Sequence, residues 1–171
     1  YLMKTEFRLQ SRQDMARSID RLKTFLAEHG LDVEIREWTA STRTAQMAAE
    51  AVGAPVGEIV KSLCIMADDK PILALVAGDQ RADMGKIANT VTATVARMAN
   101  AEQVRKHTGY AIGGVAPFGH TGDGFTAILV DQTLLRFQHV WVAAGTPNAV
   151  FQIAVEKLIE LTQGRVAEIV E

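Results

Sequence analysis

The chain has 171 residues, of which 48% are hydrophobic and 22% are charged, and its formal net charge is −2. These values exclude a disordered, fibrous or low-complexity chain and predict one domain with a core of its own. The single cysteine, Cys64, excludes an intramolecular disulfide and a cysteine-cluster zinc site, and the slightly acidic balance excludes a protein that coats long nucleic acids.

Hydrophobic periodicity and turn residues predict alternating helices and strands with short connections. The predicted helices cover residues 14–29, 41–52, 83–88, 101–107 and 155–162. The predicted strands cover residues 33–38, 59–66, 71–77, 94–98, 126–131, 140–144, 149–153 and 166–170. A capping box at Ser11–Asp14 is expected to start the first helix. The second and third strands are expected to pair as an antiparallel hairpin. This order predicts a single α/β (α+β) domain over residues 1–171 around a mixed sheet.

No stretch of the chain approaches the roughly 18 consecutive apolar residues that a membrane-spanning helix needs. The first residues lack the basic start and apolar run that mark a secretion signal. We therefore expect a cytoplasmic protein that has no membrane partner.

Lys61 is the first candidate for chemistry. It stands between the apolar runs Ile59-Val60 and Leu63–Met66, which places it at the mouth of a buried strand. An ammonium group is costly there unless it meets an anion, so Lys61 is a candidate ligand for a negatively charged substrate group. The alternative, which the pattern alone favours, is a structural lysine whose stem covers core surface.

Glycines concentrate in one segment, at positions 109, 113, 114, 119, 122 and 124. Glycines let the main chain approach a ligand closely and turn its N–H groups toward a carbonyl or phosphate oxygen. The segment Gly113–Gly119 fits neither a P-loop nor a dinucleotide fingerprint. The turn Gly145–Asn148 is a candidate for further main-chain donors at the same end of the sheet, although its pattern alone favours an ordinary β-turn. An ordinary structured loop and an ordinary β-turn are the alternatives.

The remaining reactive side chains give weaker indications. The four histidines lack metal-binding spacing, so no metal site is expected, and His120 is a candidate only because it lies in the glycine-rich segment. Cys64 lies in an apolar strand and is interpreted as a core residue. The chain has no Gly-x-Ser-x-Gly sequence, which disfavours an α/β-hydrolase.

The order of these segments resembles the YbaK/EbsC-type, prolyl-tRNA-synthetase-associated editing domain family. The resemblance rests on Glu58–Leu63, Gly78-Asp79, Gly109–Gly119 and Ala144–Asn148, and it extends from about Leu22 to the C-terminus. It implies a mixed, partly barrel-like β-sheet flanked by helices. It also implies a deacylase that hydrolyses the ester between a small wrong amino acid and tRNA, mostly tRNA for proline, without a cofactor.

The resemblance implies catalytic roles for Lys61, Gly113 and Gly114, whose main-chain N–H groups would stabilise an oxyanion. The expected substrate-binding residues are Trp38, Ser62, Val115, Pro117, Gly119, His120, Gly145, Thr146, Pro147 and Val150. The expected partners are the acceptor end of misacylated tRNA and, as a second candidate, an aminoacyl-tRNA synthetase. No residue is assigned as a general base. Substrate-assisted attack by the tRNA ribose fits the lack of one.

Two departures from the family prevent a transfer of amino-acid specificity. Cysteine-removing relatives have an aspartate where this chain has Val150 and a serine near Ala143. Alanine-removing relatives carry a His-Pro…Asn motif at Gly145–Asn148. Two other functions remain open: a non-catalytic nucleotide or nucleic-acid-binding module of the same fold, and a hydrolase of small aminoacyl esters.

Overall fold

The computed structural model of the protein describes residues 2–39 and 44–171. Within these residues the helices are α1 (Leu2–Glu28), α2 (Ala45–Val52), α3 (Met84–Thr90), α4 (Ala101–Thr108) and α5 (Val155–Thr162). The strands are β1 (Arg36–Glu37), β2 (Val60–Ala67), β3 (Lys70–Ala77), β4 (Ala96–Met98), β5 (Ala127–Asp131), β6 (His139–Ala143), β7 (Ala149–Ala154) and β8 (Arg165–Ala167). Short 3₁₀ turns at Val56–Glu58 and Gln132–Arg136 precede β2 and β6.

The strands form two sheets, which confirms the expected mixed sheet flanked by helices. The larger sheet has the order β4-β2-β3-β5-β8, and the smaller has the order β1-β7-β6. β2 and β3 form the predicted antiparallel hairpin, whereas β3 pairs with β5 and β5 with β8 in parallel. A parallel bridge between Ile59 and Trp141 joins the sheets at one point. The sheets are thus linked without closing into a barrel.

The hydrophobic core lies on both faces of the larger sheet because its strands are apolar on both sides. On one face, Cys64 of β2 belongs to a cluster that includes Leu22 of α1 and Phe151 of β7. On the other face, Ile65 of β2 packs with Ile87 of α3. Successive residues of β2 thus point into different clusters, as the two-residue period of a strand requires.

Side chains cap the first turns of two short helices. Asp83 caps α3 by accepting a hydrogen bond from the Lys86 N–H, at 3.0 Å. Asn100 and Gln103 form a capping box at the start of α4, and Gly109 ends that helix in the left-handed conformation. No helix in the described part of the chain has the length and hydrophobicity needed to span a bilayer.

Three predicted boundaries are wrong. The first helix starts at Leu2 rather than at residue 14, so Ser11 lies inside it; no glycine or proline stops the helix before Gly30. The strand predicted over 33–38 is reduced to Arg36–Glu37, which pairs only with Val150 and Ala149. The last strand is Arg165–Ala167 rather than 166–170. Residues 41–43 of the second predicted helix lie outside the described residues; its described part is capped by the Thr44 hydroxyl.

Candidate active site

A cavity of about 720 Å³ lies between the two sheets, beside the first half of β2. The smaller sheet touches this part of the chain through the Ile59–Trp141 bridge, and β4 pairs only with Ile65–Ala67 further along. Among the described strands, none pairs with the first half of β2 at this edge beyond that bridge, and β6 lies close beside it. Residues from α2, β2, β6, β7 and the loops after α4 and β6 line the cavity.

This edge of β2 presents main-chain groups to the cavity. Asp68 and Asp69 form a two-residue turn, so Ala67 and Lys70 are a hydrogen-bonded pair. Counted back from Ala67, every second residue of β2 therefore also forms main-chain hydrogen bonds with β3. The main-chain groups of Ser62 and Cys64 consequently face the other edge. In agreement with this register, the Cys64 carbonyl accepts a hydrogen bond from the Ala99 N–H, at 3.0 Å. The Ser62 hydroxyl is buried and has no hydrogen-bond partner among the described residues.

Lys61 lines the cavity, and neighbouring polar groups hold its ammonium. The Nζ donates a hydrogen bond to the Gln80 carbonyl. Burial lowers the pKa of Lys61, and the nearby carboxylate of Asp79 partly opposes that shift. Asp79 is itself held by Arg136 through two hydrogen bonds of 2.8 and 3.0 Å.

The first turn of α2 lines the same cavity through Thr44, Ala45 and Gln46. The start of a helix carries partial positive charge on its free N–H groups. Lys61 and the start of α2 thus lie on the same cavity, and each is a group of the kind that binds a phosphate or carbonyl oxygen.

The two catalytic glycines expected from the sequence occupy different positions. Gly113 lines the cavity in the left-handed conformation, with φ +85°, and Val115 lines it as well. Gly114 is outside the lining: a Cβ on it would lie 2.5 Å from the carbonyl carbon of Thr146. Its N–H donates to the Ala111 carbonyl, at 3.1 Å. Gly114 thus allows two loops to cross in main-chain contact, and Gly113 faces the cavity.

Thr146 and Pro147, in the loop after β6, form another wall of the cavity, and β7 contributes Val150. The Thr146 hydroxyl donates to the Asn148 side-chain oxygen, at 2.9 Å. The Asn148 amide in turn donates to the Trp38 carbonyl, at 2.6 Å. These bonds tie the loop to the segment before α2.

Trp38 lies behind this wall rather than in the cavity lining. It packs against a cluster that includes Trp141 and Val150, two residues that do line the cavity. Its indole N–H is buried without a hydrogen-bond partner among the described residues.

Four other predicted substrate-binding residues, Pro117, Gly119, His120 and Gly145, are also absent from the lining. The Gly119 carbonyl accepts hydrogen bonds from the Tyr110 hydroxyl at 3.0 Å and from Arg21 of α1 at 3.3 Å. A Cβ on Gly145 would lie 3.2 Å from the Ser18 carbonyl oxygen of α1. These contacts hold α1 against the loops.

His120 is also part of this packing. Its Nε2 lies 2.9 Å from the Ala116 carbonyl oxygen, and its ring meets Tyr110 and Phe125 edge-on. Burial lowers its pKa.

Sequence reasoning missed several residues that line the cavity, among them Trp141, Ala143 and Cys64. Cys64 is buried as predicted, and burial raises the pKa of its thiol to about 11. It is therefore a neutral thiol at pH 7, unlike an activated nucleophile. Of the described residues that line the cavity, Lys61 and Cys64 are the titratable ones, and none is a carboxylate or an imidazole. No signal in the sequence marks Cys64 as a lining residue, because the pairing of a strand edge does not show in its residue pattern.

Several known proteins are similar to this chain in sequence, and solved structures are similar to it in fold. The uncharacterized protein YwhH of Bacillus subtilis is 32% identical over 150 residues, which cover 87% of this chain and 94% of YwhH. The "putative Cys-tRNA(Pro)/Cys-tRNA(Cys) deacylase EbsC" of Enterococcus faecalis is 28% identical over 133 residues, covering 77% of this chain and 80% of EbsC. The crystal structure of a "putative trans-editing enzyme for prolyl tRNA synthetase" superimposes with a TM-score of 0.82 at 42% identity, covering 90% of this chain and 97% of the other.

The profile of the aminoacyl-tRNA editing domain matches residues 39–161. That range contains every residue that lines the cavity. It includes the β2 edge, the start of α2 and the loops at Gly113 and Thr146. The chain belongs to the aminoacyl-tRNA editing domain family.

Proposed function

We propose that the protein is an aminoacyl-tRNA deacylase that acts in trans and removes a small wrong amino acid from tRNA, in particular from tRNA for proline. The observation that carries this proposal is that Lys61 and Gly113 line the same cavity. Membership of the editing family and the similarity to a deacylase and to a trans-editing enzyme support it.

The size of the cavity fits the end of an aminoacyl-tRNA rather than a larger part of it. Small-molecule sites have volumes of roughly 300–1,000 Å³, and this cavity measures about 720 Å³. An aminoacyl group joined to a terminal adenosine is of that class. The rest of the tRNA would remain outside, on the protein surface.

Lys61 and the Gly113 loop would divide the work on the ester. Lys61 would bind a phosphate or carbonyl oxygen and fix the pose of the ester, which is a positioning effect. Main-chain N–H groups of the Gly113–Val115 loop other than that of Gly114 would stabilise the negative charge that develops on the carbonyl oxygen. A donor of this kind is typically worth about 3–4 kcal/mol in the transition state.

The attacking group would be water, activated by the substrate rather than by the protein. Water adds to the ester carbonyl, the bond to the ribose oxygen breaks, and the ribose hydroxyl leaves with the proton. The neighbouring ribose hydroxyl can assist this transfer, which fits a cavity whose described lining holds no carboxylate or imidazole. The aminoacyl ester is already activated, so a strong nucleophile is unnecessary.

Selection of the amino acid would depend on the size of the pocket. An apolar pocket distinguishes one methylene by only ~1–3 kcal/mol, so a synthetase that misloads small amino acids gains from a second, smaller site. Val115 and Val150 are candidate walls of that site, because both line the cavity. The Ser62 hydroxyl, which is buried without a partner among the described residues, is a candidate for a polar contact with the substrate.

A deacylation panel tests this proposal. tRNA for proline is charged with alanine, cysteine, serine or proline, and the release of each amino acid is followed with and without the protein. We expect rapid release of at least one small wrong amino acid and no acceleration with proline. Binding of tRNA without any release would instead indicate a non-catalytic module. Equal turnover of a free amino-acid ester would indicate a small-ester hydrolase. Either result contradicts the proposal.

A further inference from the structure

The N-terminal part of α1 projects from the domain. Residues 3–13 are exposed, Asp14 and Met15 are half-buried, and Ser18 and Ile19 are the first buried residues of the helix. At the rise of an α-helix, the twelve residues from Leu2 to Gln13 extend for about 18 Å. The core of the domain does not explain why this segment is present, because it buries almost none of it.

The projecting segment carries three cations on one face. Lys4, Arg8 and Arg12 follow each other at four-residue intervals, which places them within an arc of roughly 80°. Glu6, the carboxylate among residues 2–13, lies on the opposite side of the helix. None of the three cations forms an ion pair within the described residues. The segment is therefore a basic strip on a protein whose formal net charge is −2.

This basic face is the same face that packs on the domain further along α1. Lys4 precedes Leu22 by eighteen residues, and Arg8 precedes Leu26 by the same interval, which equals five complete turns. Leu22 and Leu26 are buried in the core. The face is thus apolar where it covers the domain and cationic where it extends beyond it.

The basic face begins close to the rim of the candidate active site. α1 contacts the loop after β6 at Ser18, whose carbonyl oxygen lies 3.2 Å from the position of a Cβ on Gly145. The next two residues of that loop, Thr146 and Pro147, line the cavity. Arg12 lies six residues before Ser18, about 9 Å along the helix axis, and Lys4 lies about 21 Å away.

We propose that Lys4, Arg8 and Arg12 form a docking face for the phosphate backbone of the tRNA whose aminoacylated end enters the cavity. This inference rests on the proposed function, since it assigns the partner to the same site. Charge complementarity carries it: a row of unpaired cations fits a phosphodiester chain, and its distance from the cavity suits the stem behind the terminal nucleotides. Phe7, of which 77% is exposed, lies on the same segment and could stack on an unpaired base.

Binding of uncharged, fluorescently labelled tRNA at several salt concentrations tests the docking face without depending on deacylation. The test variant combines Lys4→Gln, Arg8→Gln and Arg12→Gln, which keep good helix formers. The matched control combines Arg17→Gln, Lys23→Gln and Lys70→Gln, three exposed cations outside the basic face, of which the first two lie further along α1. We expect the test variant to bind tRNA about ten-fold or more weakly at 100 mM salt. The slope of log K against log[salt] should fall by about 2–3. The control should change affinity by no more than about two-fold.

Two results would overturn the docking face. One is equal tRNA affinity and salt slope in the wild type and the test variant. The other is a dimer, detected by sedimentation, that the test variant abolishes without a change in tRNA affinity; the face would then join two copies of the chain. Failure of the proposed function looks different: the wild type binds tRNA through this face and releases no amino acid in the deacylation panel.

Discussion

The two halves of the glycine-rich segment contain three glycines each, and their surroundings differ. In the first half, Gly113 and Val115 face the cavity. In the second half, Gly119 and His120 pack around Tyr110 near α1, and Gly122 lies against the main chain of α4. Glycine marks a place where the main chain comes close to another group. Composition does not distinguish a substrate from another part of the protein as that group.

Alanine at Gly114 and at Gly122 gives the largest expected contrast between the halves. Both sites lack room for a Cβ because main-chain atoms lie too close. Each change should destabilise the fold by about 1–3 kcal/mol through overpacking. Gly114→Ala pushes on Thr146 at the cavity wall, so single-turnover deacylation should fall by about 100-fold in the folded protein. Gly122→Ala should leave the rate per folded molecule unchanged.

Thermal unfolding measures the cost in stability, and quench-flow or manual sampling of labelled amino acid measures the rate. Equal rates in the two variants would mean that the crossing at Gly114 does not shape the site, and the contrast between the halves would be lost.

A second pair of variants separates the effect of the cavity on activity from the effect of the backbone conformation. Gly113 and Gly124 have nearly the same left-handed geometry, with φ +85° and +79°. An added methyl group on Gly124 would meet nothing within 4 Å, and on Gly113 its nearest neighbour is Pro147 at 3.9 Å. Alanine at either position should cost about 1–2 kcal/mol in backbone strain. Only Gly113→Ala should also lower kcat/KM, by about ten-fold. Similar losses of kcat/KM in both variants would show that the strain, and not the cavity, controls activity.

His120 gives the smallest expected effect, and it concerns stability alone. Burial lowers the pKa of His120 from its usual value of 6.5, so the unfolded chain takes up its proton at a higher pH than the folded one. The stabilising contribution of the neutral ring is therefore present above pH 6.5 and decreases as the pH falls through the lowered pKa. The melting temperature of His120→Phe should depend less on pH below 6.5 than that of the wild type. Deacylation at pH 7.5 should stay within about two-fold; a loss of 100-fold would place His120 at the ester.

Most of the elements could be predicted because the cues are local. Asp83 and Gly109 mark helix ends through their own side-chain or backbone chemistry. The hairpin of β2 and β3 follows from two apolar runs around a polar turn. The start of α1 was missed because the apolar periodicity begins only at Met15, where the helix meets the domain. A projecting helix has no core face to reveal it.

The candidate site could be predicted only in part. Lys61 was a candidate because a cation beside apolar runs needs a partner, although the pattern alone favoured a structural lysine, and it does line the cavity. The position of Cys64 in the cavity lining could not be predicted. An apolar strand with an unpaired edge has the same sequence pattern as a strand with neighbours on both sides. The positions of Trp38 and Gly145 behind the cavity lining depend on how α1 and β7 pack, which is set by contacts distant in sequence.

The central claim is that the ester is hydrolysed in the cavity beside Lys61. The most direct measurement compares single-turnover deacylation by Lys61→Ala with that by Lys70→Ala, which removes an exposed lysine at the far end of the same hairpin. We predict a loss of about 100-fold or more for Lys61→Ala, a rate within two-fold of wild type for Lys70→Ala, and similar melting temperatures for both. A wild-type rate in Lys61→Ala would contradict the account.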